Sequence, residues 1–419
     1  MRPIILAAAT AAILAPVACS KNEAPAPEVA APAEDGIVHV SADGDFAENL
    51  QLALIEAEPG QTIVMPEGTF EFTTGLSLDV DDVTLAGAGQ GKTILDFAGQ
   101  TGAGEGLLVT ADDVVLTDFG IRDTKGDGIK SKDSDRITYQ YLTVEWSGEP
   151  DETNGAYGIY PVESTDVLVQ NCTVRGASDA GIYVGQSQNI IVRDSVAEYN
   201  VAGIEIENSS YADVYGNIAR HNAGGILVFD LPDLPVMGGH STRVYDNDIV
   251  ENNTVNFAPV GNIVAGVPSG TGLIVMANSD VYVTGNRFKD NRSVHVMLTA
   301  YTEPFTDENY GPLLDDITVT GNTYEGGLDD PQGMLAPLAA ALGGQLPAIM
   351  TDGVTRWNGG EDQPVNLVIA EAPEVGFINI GLGEYPIDPA KMQPSMDRPA
   401  STPVPERDAV VLPQDQKQP

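Results

Sequence analysis

Apolar and polar positions alternate in short runs along this chain, and the runs restart on a recurring phrase. It reads Gly128-Ile-Lys, Gly158-Ile-Tyr, Gly181-Ile-Tyr, Gly203-Ile-Glu, Gly225-Ile-Leu and Gly272-Leu-Ile. The middle steps are 23, 22 and 22 residues, and the outer ones, 30 and 47, are lengthened by insertions. A fixed period in this range marks a stacked repeat architecture. Alternation after each phrase is strand-like, an Asn-bearing turn follows, and no repeat carries a helical period. A unit of this size holds one turn of a wound sheet with three short strands and their bends. One helical pattern precedes the repeats, over 46–57, with Phe46, Leu50, Ala53 and Leu54 on one face, and it is placed to cover the open first coil.

The alternation also assigns sides. The residue after each Gly points inward, so the second and fourth positions point outward. The second-position column is Lys130, Tyr160, Tyr183, Glu205, Leu227, Ile274, and the fourth is Lys132, Val162, Gly185, Glu207, Phe229, Met276. With coils ~4.8 Å apart these form one ribbon, running from cationic through aromatic and acidic to apolar. The insertions 231–240 and 255–267, rich in Pro and Gly, are the expected cover for its apolar end, with a docked partner as the alternative. Asn171, Asp194, Asn247, Asn286 and Asn322 read as equivalent turn positions, with Asn217 one residue off, and a stacked ladder there would cap the turns. Cys172 beside it reads as a small buried filler.

Composition narrows the chemistry. The 419 residues include 45 Gly and are 6% aromatic, which suits many short strands and turns. Two Cys and four scattered His give neither a disulfide framework nor a zinc spacing. The net charge of −41 opposes nucleic acid and anionic membranes as partners. Calcium bound by carboxylates is open, although no Asp-x-Asp-x-Asp-Gly loop occurs.

Arg2 and the apolar run 4–15 form a signal-like segment too short to span a bilayer. It ends at Ala15-Pro-Val-Ala-Cys19-Ser20, which resembles the lipobox of bacterial lipoproteins. The expected organisation is a signal peptide over 1–18 with lipidation at Cys19, a flexible tether over 19–36, coils over 37–327, a C-terminal cap region over 328–387 and a disordered Pro-rich tail over 388–419. Export to the periplasm or outer membrane follows, with membrane contact only through the anchor; cleavage to a soluble exported protein is the alternative.

The helix, the segment Pro59-Gly-Gln-Thr-Ile-Val-Met-Pro-Glu-Gly-Thr-Phe70 and the Asn-punctuated coils resemble the right-handed parallel β-helix, or pectin-lyase-like, superfamily. That superfamily includes pectate lyases, polygalacturonases, mannuronan epimerases and a periplasmic copper-insertion accessory protein. Residues 155–208 are similar in particular to uncharacterised bacterial parallel β-helix repeat lipoproteins. The resemblance implies an all-β, right-handed parallel β-helix solenoid with an N-terminal capping helix, and leaves activity open.

Candidate chemistry lies on the outward ribbon. Arg122, Lys125, Lys130, Lys132 and Arg136 invert the local sign of an acidic chain, and their expected pairing is with Asp123, Asp127, Asp133 and Asp135. A cation beside Tyr160 and Tyr183 could instead neutralise a uronate, as elimination or epimerisation requires. Glu205 and Glu207, ~6.7 Å apart at the backbone, could act as general acid and base. Lys130, Lys132, Tyr160, Tyr183 and Phe229 are the candidate binding residues. The chain has neither an Asp-Pro-His-Asp sequence nor a Gly-His-Gly signature. The expected function is therefore a glycan- or partner-binding face, its ligand a polysaccharide or an envelope protein, with lyase, epimerase or hydrolase action as the alternative.

Overall fold

A computed structural model describes residues 36–102 and 104–414. Cys19, the signal segment and nearly all of the expected tether lie outside the described residues. From residue 37 onward the chain winds into coils of parallel strands. One coil is Tyr157–Val162, Thr165–Gln170 and Thr173–Arg175, and the next is Ala180–Gly185, Gln188–Arg193 and Val196–Glu198. Strands stack in register from coil to coil, giving an 11-stranded parallel sheet on one side and a 20-stranded parallel sheet that bends around the rest. Residues in the left-handed region make the corners, as at Asn171 (φ 54°), Asp194 (φ 50°) and Asn208 (φ 48°), where short polar side chains tolerate that backbone.

The interior is a column of aliphatic residues. Ile129, Ile159, Ile182, Ile204, Ile226 and Leu273, each following a repeat Gly, are fully buried in it. The Gly itself is required by close approach: a Cβ at Gly203 would lie 2.5 Å from the carbonyl oxygen of Gly225 and 2.8 Å from the amide of Asn222. The helix Phe46–Ile55 is capped by Asp45, which accepts from the backbone N–H of Glu48. It buries Phe46, Leu50, Ala53 and Leu54, the face expected from the sequence, over the first coils.

Polar ladders run through the interior beside this column. Backbone N–H groups of Cys172, Ser195, Asn217, Asn247, Asn286 and Asn322 each donate to the next side chain in that order, ending on Glu371. Asn217 is therefore in step. Asn171 and Asp194 are the ones displaced by one residue, because they occupy the left-handed corner before the ladder position. Cys172 is buried in the ladder as a filler, its thiol pushed up to about 12 by burial. A second ladder, Asn200, Asn222, Asn252 and Asn291, and a third of Ser134, Ser164, Ser187 and Ser209 went unread in the sequence.

The expected cap region and tail both add to the stack. Parallel pairing continues past residue 327 through Ile349–Thr351, Leu367–Ala370 and Phe377–Asn379, so the sheets outlast the repeat phrase. The tail over 388–414 is laid against the coils rather than disordered. Thr402 exchanges hydrogen bonds with Asn366, Glu406 and Arg407 reach Arg243 and Asp213, Leu412 is buried with Leu168 and Ile191, and Gln414 donates to the Asp166 carbonyl. Of these, Leu168, Ile191, Asp213 and Arg243 lie on one stacked column with Tyr282, whose hydroxyl donates to the Val404 carbonyl, so the tail retraces the stack as a strap.

Candidate functional site

The 11-stranded sheet carries the outward ribbon, and its register is the expected one: Lys130 lies beside Tyr160, Tyr183 beside Glu205, Glu205 beside Leu227, and Leu227 beside Ile274. Alternation therefore survives both insertions. What differs is exposure. Residues 255–267 fold back over this face, where Phe257, Ala258, Val264 and Val267 pack with Leu227, Phe229 and Ile274. The helix Leu335–Ala341 adds Leu335 and Ala339 to the same cover. Parallel strands covered on both sides are buried throughout, and Ala180–Gly185, Ala202–Glu207 and Gly224–Phe229 follow that rule. Tyr183, Glu205, Glu207 and Phe229 are consequently buried, not an open ribbon.

Beneath the cover a cleft of about 350 Å³ remains, bordered by Tyr157, Asp179, Glu205, Glu207, Asn262 and Tyr301 among others. Glu205 is 1% exposed, and its Oε2 has no hydrogen-bond partner. Burial, reinforced by Glu207 and Asp179, holds its carboxyl well above the ordinary carboxylate range. Glu207 accepts from the Tyr183 hydroxyl at 2.6 Å, and burial raises it to about 7 against that bond. Asp179 accepts from Asn262 Nδ2 at 3.0 Å and from Tyr157, and burial again raises it to about 7. Three buried carboxyl groups thus share one site that cannot readily hold all of them ionised. Asp127 and Asp230, each raised by burial to about 6, flank it.

The tyrosines form a cluster, with Tyr157, Tyr160 and Tyr183 ring centroids 4.5 to 4.9 Å apart. Lys130 caps its outer side, 4.8 Å from the Tyr160 ring and 3.7 Å from Glu105. Lys132 pairs with Glu163 at 3.2 Å and does not border the cleft. Two further cations pair across coils, Arg122 with Asp96 and Arg136 with Asp112 and Asp113. The expected partners were neighbours along the chain, but stacking brings opposite charges together from the preceding or following coil. Phe229 stands beside Glu207 on the neighbouring strand but lines the adjoining apolar cavity rather than the carboxylate cleft.

Tyr157 was missed for a geometric reason, and Asp179 because it lies in the bend before its strand. Each repeat Gly turns inward: a Cβ would meet Val144 at Gly128, Val174 at Gly158 and, from Gly181 on, the inner Asn ladder, 2.6 Å from Asn200 at Gly181 itself. Gly and the following Ile therefore both face inward, and the residue before the Gly faces out. The outer cluster indeed holds Ala180, Ala202 and Tyr157. Alternation counted only forward from Gly cannot find that column. Among the described residues no three His, Cys, Asp or Glu groups converge as a metal site would require, and no helix is long and apolar enough to cross a membrane.

A family model described as the right handed beta helix region matches residues 105–258. No curated protein sequence matches the chain. Among solved structures, a DFA-IIIase from Arthrobacter chlorophenolicus is similar over 82% of this chain and 100% of its own, with a TM-score of 0.53 and 14% identity. The A-module of a mannuronan C-5 epimerase from Azotobacter vinelandii covers 81% of this chain and 92% of its own, at 0.49 and 15%. A family 28 exopolygalacturonase from Yersinia enterocolitica covers 82% and 76%, at 0.49 and 13%. At such identities the likeness is one of fold. The matched repeat region and the wound parallel sheets agree on the fold, a right-handed parallel β-helix.

Proposed function

We propose that the cleft hydrolyses a glycosidic bond of a neutral sugar, with Glu205 as general acid. One observation carries this reading: a fully buried carboxyl group has an unpartnered oxygen beside two further carboxyls in an open cleft. Glycosidases need one carboxyl protonated and one ionised at the same pH. Glu205 has no donor to stabilise its anion and stays protonated. Glu207 and Asp179 are gripped by donors, Tyr183 for one and Asn262 with Tyr157 for the other, which favour their anions. In the proposed reaction Glu205 gives its proton to the leaving oxygen, and one of the gripped carboxylates activates water or attacks the anomeric carbon.

The lining also selects against uronates. No Lys or Arg borders the cleft, so a sugar carboxylate would meet only like charge. This favours hydrolysis over elimination or epimerisation of a uronan. The named structural neighbours include an epimerase and an exopolygalacturonase, but the support for this chain lies in its own carboxyl groups. The test is incubation with panels of neutral oligosaccharides and of uronans. New reducing ends from a neutral glycan, without unsaturated-uronate absorbance, are expected. Turnover of uronans alone, or binding without turnover across the panel, would overturn the reading.

We also propose export and lipid anchoring at Cys19, supported by the signal-like run and the lipobox-like sequence. Labelled palmitate fed to cells is expected to enter the wild-type chain and to be absent from Cys19→Ala. Equal labelling of both would refute the anchor.

A further inference from the structure

A second cavity, of about 600 Å³, adjoins the carboxylate cleft. Its floor is the apolar end of the outward ribbon, Phe229, Ile274, Met276, Met297 and Met350, and its roof includes Leu338 of the helix Leu335–Ala341. Five of the chain's nine methionines line it: the three on the floor, with Met334 and Met392. Methionine is flexible and polarisable, so such a wall adapts to an irregular or mobile apolar guest. The nearest buried charge, Asp352, is spent on the backbone N–H groups of Ala300 and Val354 at 2.7 and 3.0 Å. The volume lies within the range of small-molecule pockets, about 300–1,000 Å³.

Position identifies the guest. Ile263 and Tyr301 border both the cavity and the carboxylate cleft, so the two share a wall and a single ligand can enter both. One compartment offers carboxyls, an amide and hydroxyls, and the other is mainly hydrocarbon and thioether, with Thr299, Thr302, Tyr301, Glu303 and Asp352 as its polar lining. We propose that the substrate is an amphiphilic glycoside, whose sugar occupies the carboxylate cleft while its alkyl chain fills the methionine-lined cavity. This rests on the saccharide reading of the cleft given above and adds the chemistry of the leaving group.

The test is calorimetric titration of the full chain with methyl, hexyl and octyl glucosides below their micellar concentrations, using Glu205→Gln so that binding is measured without turnover. Affinity is expected to tighten by about tenfold per two methylenes, as full burial of each added group predicts. Leu338→Trp, which fills the cavity from the helix, is expected to collapse that increment, so that octyl glucoside binds no tighter than methyl glucoside. Should Leu338→Trp fail to fold, Ala341→Trp on the exposed end of the same helix reads the same property. Equal affinity for methyl and octyl glucosides in the unfilled protein would overturn the proposal, as would octanol binding as tightly as octyl glucoside. A chain-length increment in a protein that cleaves no glycan would sink the hydrolase reading and leave the amphiphile site standing.

Discussion

Glu205→Gln is expected to reduce cleavage of unactivated neutral glycosides by about 10²–10⁴-fold, the usual worth of a positioned proton donor. Glycosides with a dinitrophenyl leaving group need no proton and are expected to lose far less. Unequal losses would identify an acid, whereas equal losses on both substrates would indicate a structural role. The same variant bears on stability, because the three carboxyls are buried and raised. Glu207 moves from 4.5 to about 7 on folding. Between those pH values the folded state binds protons that the unfolded state releases, so stability falls as pH rises. The contribution is fully present below about pH 4.5 and lost as pH passes through about 7. One group shifted this far contributes on the order of 3 kcal/mol. The melting temperature is therefore expected to be several degrees higher at pH 5 than at pH 8, with a flatter profile in Glu205→Gln. A wild-type melting temperature that climbs from pH 5 to pH 8 would contradict the buried cluster.

Asn247→Ala is expected to cost about 4 kcal/mol or more, since each buried polar group left unpaired costs about 1–3 kcal/mol. Asn247 Oδ1 accepts from both the backbone N–H and the amide of Asn217 at 3.0 Å. Its own amide donates to the Val214 and Tyr245 carbonyls and to Asn286. Alanine satisfies none of these and leaves the neighbouring coils with orphaned groups. Total stabilities are about 5–15 kcal/mol, so the loss is a large fraction of any such total. Asn171→Ala, at a left-handed corner outside the ladder, is expected to cost about 1–2 kcal/mol. Denaturant unfolding of the two variants measures the difference, and similar costs would mean that the ladder is not the stabilising element.

The fold was legible because the repeat phrase does two jobs at once. Gly203 admits the next coil and Ile204 fills the interior, so both are dictated by packing. The outward columns were legible for the same reason, and Glu205, Glu207 and Tyr183 were found by counting. Their burial was not, because it depends on residues 255–267 and on the helix Leu335–Ala341 folding back from distant positions. Tyr157 escaped because the backbone turns at each Gly and breaks strict alternation, and Asp179 because it sits in the bend before its strand. The displaced ladder reading has the same origin, in that one corner residue separates Asn171 from Cys172. The tail defeated compositional reasoning, since single groups such as Arg407 and Leu412 anchor it rather than an apolar run.

That strap has a consequence for how the molecule comes apart. In a stack of coils each repeat is held only by its neighbours, and either end can fray independently. Here residues 404–412 cross back over sheet positions from Tyr282 to Leu168, so distant coils share one fastening. A nick near residue 400 is therefore expected to uncover Leu168, Ile191 and the buried Asp213 together and to let those coils fray one by one.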